Sequence, residues 1–206
     1  MARFTTSEAD TRLETARLIL SRPSVSDYGE LRVMAAEESM FRFSERGAMT
    51  GEESWALLLR HIGQWRVANY GVFTVREERT RRFVGLVGAS DFRRTLGTDF
   101  DPYPEMTWTV APRFRDLGYA VEAGDAVLSW LSRRAGWPRS VCLIHGDNRP
   151  SLRVAEKLGF RMMRRCEYRG YEAGLFEKGG PALRSETGTG SAVSPEIVPV
   201  EAPRPA

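Results

Sequence analysis

"APRFRDLGYAVEAGDAVLSWLSRRAGWP", residues 111–138, spells a helix approached through a short basic turn. Ala120, Ala123, Gly124, Val127, Leu128 and Leu131 recur at helical spacing on one face, and Arg133, Arg134 and Gly136 suit its C-terminal end. At the opposite end the first backbone N–H groups lack intrahelical partners and carry the positive end of the dipole. A strand-turn-helix of this kind can hold an anion, phosphate most readily. Gly118 permits close approach there, while Arg113 and Arg115 add charge. A plain turn with solvated arginines satisfies the same residues, and this stretch alone leaves both readings open.

Working outward, the chain alternates strand and helix signals. "RLILSR" (17–22) predicts a strand and "SDYGELRVMAAEE" (26–38) a helix with Asp27 in its first turn. "TGEESWALLLRHIGQWRVANYG" predicts a longer helix with a Thr50/Glu53 capping box and an apolar face of Trp55, Leu58, Leu59, Ile62 and Trp65. "GVFTVRE" (71–77) and "RFVGLVGASDF" (82–92) read as a hairpin, and "EMTWTVAP" (105–112) as the next strand. Beyond the quoted helix come a strand "SVCLIH" (140–145), a helix "NRPSLRVAEKLGF" stopping at Gly159, and two strands, "FRMMRRCEYR" and "YEAGLFEK". The order β-α-α-β-β-β-α-β-α-β-β predicts an α/β (α+β) domain with a mixed, mostly antiparallel sheet covered by helices.

Composition narrows the function. The chain has 206 residues, 42% of them hydrophobic, which suits one domain with one core. Its net charge of +3 arises from 30 basic and 27 acidic residues, a mixed surface rather than the uniform field nucleic acid demands. "RMMRRCEYR" (161–169), the one basic cluster with an aromatic, reads as an edge strand blunted by charge. Cys142 and Cys166 match no metal or disulfide spacing, so no metal is expected. No signal core or membrane-length apolar run occurs, and the expected compartment is the cytoplasm. Residues 1–12 read as a flexible lead, 13–180 as the domain, and 181–206, without an aromatic and rich in Pro, Ser, Thr, Gly and Ala, as a disordered tail.

Two blocks carry a resemblance. "VAPRFRDLGYAVEA" with "NRPSLRVAEKLGF" resembles the acyl-CoA-binding signature of the GNAT superfamily of N-acyltransferases, Arg115, Gly118 and Ala120 filling its Arg/Gln, Gly and Gly/Ala positions. Asn148, Ser151 and "EKLGF", with the opening "LETARLILSRPSVSDYGEL", are similar to the Rim-type branch that contains ribosomal-protein N-terminal acetyltransferases. The likeness spans residues 13–178. It implies that acetyl-CoA is the co-substrate and that backbone amides of about 115–120 (Arg115, Asp116, Leu117, Gly118, Tyr119, Ala120), with Arg113 nearby, cradle its pyrophosphate. It implies further that the strand at 105–110 parts from that at 140–145 to admit the pantetheine arm along Trp108, Thr109 and Val110. Asp116 departs from the family's usual glycine. A carboxylate about 8 Å from a phosphate, at an effective dielectric near 40, costs on the order of 1 kcal/mol, which Arg113 or Arg115 could offset.

Acyl transfer to an amine needs a neutral amine, a stabilised oxyanion and a proton for the leaving thiolate. By the resemblance Glu105 is the candidate base and a backbone N–H near Val110 the oxyanion donor. Many members place a tyrosine acid where this chain has Ala155; Ser151 is the substitute, with Asn148 on the pantetheine. Asn148 is equally a good helix cap. Phe41, Phe43, Asp99 and Asp101 are candidates for the acceptor side, where "TDFDPYPE" (98–105) would favour a cationic amine. His145 and His61 are weaker candidates for a base. The expectation is an acetyltransferase acting on a protein N-terminus or a small amine, with a non-catalytic acyl-CoA-binding scaffold as the rival and a homodimer left open.

Overall fold

The computed structural model describes residues 3–5, 11–40, 42–43 and 47–179; the tail 181–206 and Phe41 lie outside them. Among the described residues nine strands form a single sheet in the order β1-β2-β3-β4-β5-β6-β7-β9-β8. These are β1 (Arg3–Thr5), β2 (Arg12–Glu14), β3 (Leu18–Ser21), β4 (Val72–Glu77), β5 (Phe83–Ser90), β6 (Glu105–Val110), β7 (Arg139–His145), β8 (Arg161–Tyr168) and β9 (Tyr171–Gly179). Every neighbouring pair is antiparallel except β6 and β7. Two short strands occupy part of the stretch read as a flexible lead; β1 pairs with β2 and β2 with β3. At three residues each they are too short to leave a period-2 signal. The last two strands do close the sheet, with β9 inserted so that the basic β8 becomes the edge.

The helices are α1 (Tyr28–Ala35), α2 (Gly51–Ala68), α3 (Tyr119–Arg134) and α4 (Arg149–Lys157). The predicted capping box is present: Thr50 Oγ1 accepts from Glu53 N, and the Glu53 carboxylate accepts from Thr50 N. The apolar face of α2 is rotated from the expected one. Leu58 and Trp65 are buried, but they share the inner face with Ser54 and His61, whereas Trp55 and Leu59 are 37% and 46% exposed. Ser54 satisfies its hydroxyl on the Thr50 carbonyl, so a small polar residue can face inward where hydropathy alone points to Trp55. Trp65 donates to the Val72 carbonyl at 2.7 Å and stacks edge-on against Phe73, which seats α2 on the sheet.

On α3, Ala123, Val127, Leu128 and Leu131 are buried as expected, joined by Ala126 and Trp130. Gly124 lets α4 approach: a Cβ there would stand 2.7 Å from Leu158 Cδ1. The central strand β5 is buried along its whole length. One main cluster runs from Leu13 and Leu18 through Phe73, Leu86 and Val127 to Leu158 and Phe160, and a smaller one of Phe100, Val141 and Leu175 lies beneath the 91–104 loop.

Candidate active site

The sheet opens where β6 and β7 part. They share one register pair, Glu105 with Val141, where Val141 N–H donates to the Pro104 carbonyl at 3.1 Å. Burial falls off at the same point: Glu105 and Met106 are buried, while Thr107 to Val110 are partly exposed. β7 meanwhile stays fully paired to β9. In an antiparallel ladder alternate residues point their backbone groups to alternate sides. Ala111 N–H donates to the Val84 carbonyl, so in the register of β5 and β6 the N–H of Thr109 faces β5 and those of Val110 and Trp108 face the gap.

After β6 a 3₁₀ turn, Pro112–Phe114, leads to the helix entrance. Asp116 has φ 61° and Gly118, the N-cap of α3, φ 80°. This left-handed backbone explains why glycine suits position 116. Aspartate is one of the few other residues that tolerates it, because its short side chain can bond locally. Residues 115–118 are exposed, whereas Tyr119 is buried with its hydroxyl 2.7 Å from Glu77 Oε1, and Ala120 is half-buried. The expected neutralisation of Asp116 is not the one formed. Arg113 donates to the Phe83 carbonyl at the start of β5 at 3.2 Å, and Arg115 to the Ser39 carbonyl at 3.1 Å. The guanidinium that does touch this turn belongs to Arg17, which donates to the Leu117 carbonyl at 3.0 Å.

Side chains alternate across β6. On the face covered by α3 and α4, Trp108 Nε1 donates to Ser151 Oγ at 3.2 Å, and Asn148 caps α4 by accepting from Ser151 N at 3.1 Å. Ala155 is buried and offers no hydroxyl. On the other face Glu105 is 5% exposed and held at two points by Arg94, Nε at 2.6 Å and Nη2 at 2.8 Å. Burial raises the Glu105 carboxyl above its ordinary range, and Arg94 pulls it part of the way back. Arg94 also donates to the Tyr168 hydroxyl at 2.8 Å.

That same face carries an aromatic wall. The register through Val141, Ala173 and Tyr171 puts His145, Tyr171 and Tyr168 on the side of Glu105. His145 stacks on Tyr171 with ring centroids 4.8 Å apart, and Phe43 lies 5.9 Å from His145. His145 Nδ1 accepts from Asp147 N at 3.0 Å, so the neutral ring carries its proton on Nε2 and can only donate there. The acidic loop is engaged with itself and with β8: Asp99 pairs with Arg164 at 3.1 Å, and Asp101 accepts from Gly97 N at 2.7 Å.

Sequence reasoning brought Trp108, Val110, Asn148 and Ser151 to one gap but missed Arg17, Arg94, Tyr168 and Tyr171. Arg17 lies about a hundred residues from Leu117, and the only signal for it was the Rim-like opening around it. Both cysteines are free, and Cys142 is buried with its thiol pushed well up, unsuited to nucleophilic work. Among the described residues no group of three or more His, Cys, Asp or Glu is arranged to hold a metal.

Known proteins share this fold. Residues 17–161 match the acetyltransferase (GNAT) domain model. The uncharacterized N-acetyltransferase YnaD of Bacillus subtilis (strain 168) is 24% identical over 165 residues, 78% of this chain and 90% of that protein. A solved Bordetella pertussis chain assigned to the GnaT-family acetyltransferases is 31% identical at TM-score 0.71, covering 82% of this chain and 99% of its own. The RimL ribosomal L7/L12 alpha-N-protein acetyltransferase in complex with coenzyme A has TM-score 0.66 over 80% of this chain and 95% of its own; at 13% identity that is a likeness of fold. The split sheet and its matched domain together establish that this chain belongs to the GNAT acetyltransferase family and is an acyltransferase.

Proposed function

We propose that the protein transfers the acetyl group of acetyl-CoA to a primary amine, on a protein N-terminus or a small molecule, by direct attack in a ternary complex. The parting of β6 and β7 beyond Glu105 and Val141 carries this reading, because it leaves backbone donors facing a gap that joins the two faces of the sheet. Acetyl-CoA occupies the α3 and α4 face, with its pyrophosphate on the 115–120 turn near Arg113 and its pantetheine along Trp108, Thr109 and Val110, within reach of Asn148. The amine comes from the face of Glu105.

The neutral amine nitrogen adds to the thioester carbonyl carbon, and the oxygen that takes up negative charge meets the Val110 N–H. The C–S bond then breaks. The thiolate takes a proton from the Ser151 hydroxyl, which regains one from solvent water in the same relay, and the nitrogen gives one to Glu105, directly or through water. Arg94 occupies one lone pair on each Glu105 oxygen, and the second remains for that proton. A carboxyl raised by burial is the better matched to proton transfer near neutral pH.

For the acceptor, Phe43, His145 and Tyr171 form the wall against which the amine's neighbouring groups pack. Asp99 and Asp101 act on the acceptor only through the loop they tie, since Arg164 and Gly97 N already engage their carboxylates. A protein N-terminus is the first acceptor to try, given the Rim-type neighbours. Among the described residues no helix is long and apolar enough to cross a membrane, and the cytoplasm is the proposed compartment. The test is calorimetric titration with acetyl-CoA and with desulfo-coenzyme A, followed by thiol release with a panel of amines and N-terminal peptides. Micromolar binding with amine-dependent thiol release supports the reading; absence of both overturns it.

A further inference from the structure

Arg17, in the turn just before β3, sits in a network that fixes the coenzyme turn from behind. Its Nη1 donates to the Leu117 carbonyl at 3.0 Å. Its Nε and backbone N–H donate to the two carboxylate oxygens of Glu122 at 2.7 and 3.0 Å. Thr15 Oγ1 donates to Glu122 Oε1 at 2.5 Å and in turn accepts from Leu18 N at 2.9 Å. The guanidinium lies 4.6 Å from the centre of the Tyr119 ring, and the Arg17 carbonyl is held by Glu78 N at 2.8 Å. The side chain and backbone of this arginine are thus engaged by the first turn of α3, by the turn before it and by Glu78 just after β4.

The peptide joining Leu117 to Gly118 is planar and trans, so a carbonyl drawn to one side sends the following N–H to the other. Gly118 N–H is among the groups that would meet an anion at this helix start. Gly118 itself is free to rotate, and Asp116 beside it already stands in the left-handed region. Left alone, such a turn samples several peptide orientations and loses affinity in ordering one of them. Glu122 meanwhile balances the charge of Arg17, which makes this arginine a poor candidate for a direct phosphate ligand.

We infer that Arg17 is a positioning residue for the coenzyme. Held by Glu122, it pins the Leu117 carbonyl so that the Gly118 N–H is preset toward the pyrophosphate. This rests on the reading that residues 115–120 cradle coenzyme A, and the experiment separates the two.

Coenzyme A binding is measured by calorimetry for the wild type and for Arg17→Met, Arg17→Lys and Glu122→Gln at about 50 and 500 mM salt, with a thermal melt on each to confirm folding. Arg17→Met is expected to weaken binding about tenfold, the worth of one charge-assisted hydrogen bond, equally at both salt concentrations. In turnover it raises KM for acetyl-CoA and leaves kcat at saturation near wild type. Arg17→Lys keeps the charge but cannot span both partners, so it should behave like Arg17→Met. Glu122→Gln gives the opposite signs: it weakens coenzyme A if Arg17 positions the turn, and tightens it if Arg17 is simply a charge near phosphate. Tighter binding by Glu122→Gln, a loss in Arg17→Met that fades at high salt, or wild-type affinity in Arg17→Lys overturns the inference while leaving the cradle in place. No binding by the wild type removes both.

Discussion

Trp108 reaches across the opening in the sheet and donates its indole N–H to the Ser151 hydroxyl at 3.2 Å, joining β6 to the first turn of α4. Because the Ser151 oxygen is the acceptor of that bond, its own proton is released for another partner. Ser151→Ala is therefore expected to lower kcat about a hundredfold, the lower range of general-acid effects, with coenzyme affinity little changed. Trp108→Phe keeps an aromatic ring near Phe160 but frees the serine rotor, and its loss should be smaller, about threefold. Steady-state kinetics beside calorimetry checks both; equal losses in the two variants would mean that Trp108 acts through its own contact with the coenzyme.

Glu105 and Arg94 make a second prediction. Removing the arginine strands a buried carboxylate, so Arg94→Met should destabilise by about 3 kcal/mol, and Glu105→Gln added to it should recover part of that. Glu105→Gln alone should reduce kcat while coenzyme binding stays near wild type. With its carboxyl raised by burial, Glu105 loses its charge as pH falls through that raised value, so a base at this position puts an acid limb on kcat/KM. Glu105→Gln should flatten that limb, and a retained limb would assign it to another group.

Asp116 unites two effects that substitution can separate. Asp116→Asn keeps a residue tolerant of positive φ and removes the charge; it should tighten coenzyme A severalfold at low salt and less at high salt. Asp116→Gly adds the conformational gain and should bind at least as tightly. Asp116→Val, a β-branched residue forced to φ near 61°, should cost on the order of 1–2 kcal/mol of stability. Calorimetry and urea unfolding read the two effects independently.

The sequence showed more of the fold than of the site, for reasons visible in single residues. Strands β4 to β7 and helices α2 to α4 announce themselves through periodicity and caps such as Thr50 and Glu53, which act within a few residues. Strands β1 and β2 are too short for a period, and α2 turned Ser54 and His61 inward because side-chain hydrogen bonding and packing, not hydropathy, decided its face. The gap between β6 and β7 was legible only through resemblance. The partners of the reactive positions were not legible at all. Arg94 with Tyr168, and Arg17 with Leu117, are joined over 74 and 100 residues, and no local pattern records such a pairing. Asp99 and Asp101 show the same limit from the other side: an acidic run looks available until Arg164, folded back from β8, engages one of the two.

His61 supplies the last prediction, on stability rather than turnover. It lies on the inner face of α2 at 5% exposure, and burial, with Arg60 beside it, lowers its pKa from 6.5 to about 4. Among the described residues its Nδ1 has no hydrogen-bond partner, so none of them rewards a second proton there. The unfolded chain protonates this histidine below its ordinary pKa while the folded chain does not, so acid favours unfolding. His61 thus contributes stability that is whole above about pH 6.5 and is lost as pH falls toward 4; the full difference is about 3 kcal/mol. Urea midpoints measured from pH 7.5 to 4 should decline across that window in the wild type, and His61→Leu, which cannot titrate, should decline less by about that amount. Parallel curves for the two proteins would show that carboxylates alone set the acid limit and that His61 takes up its proton without opening the core.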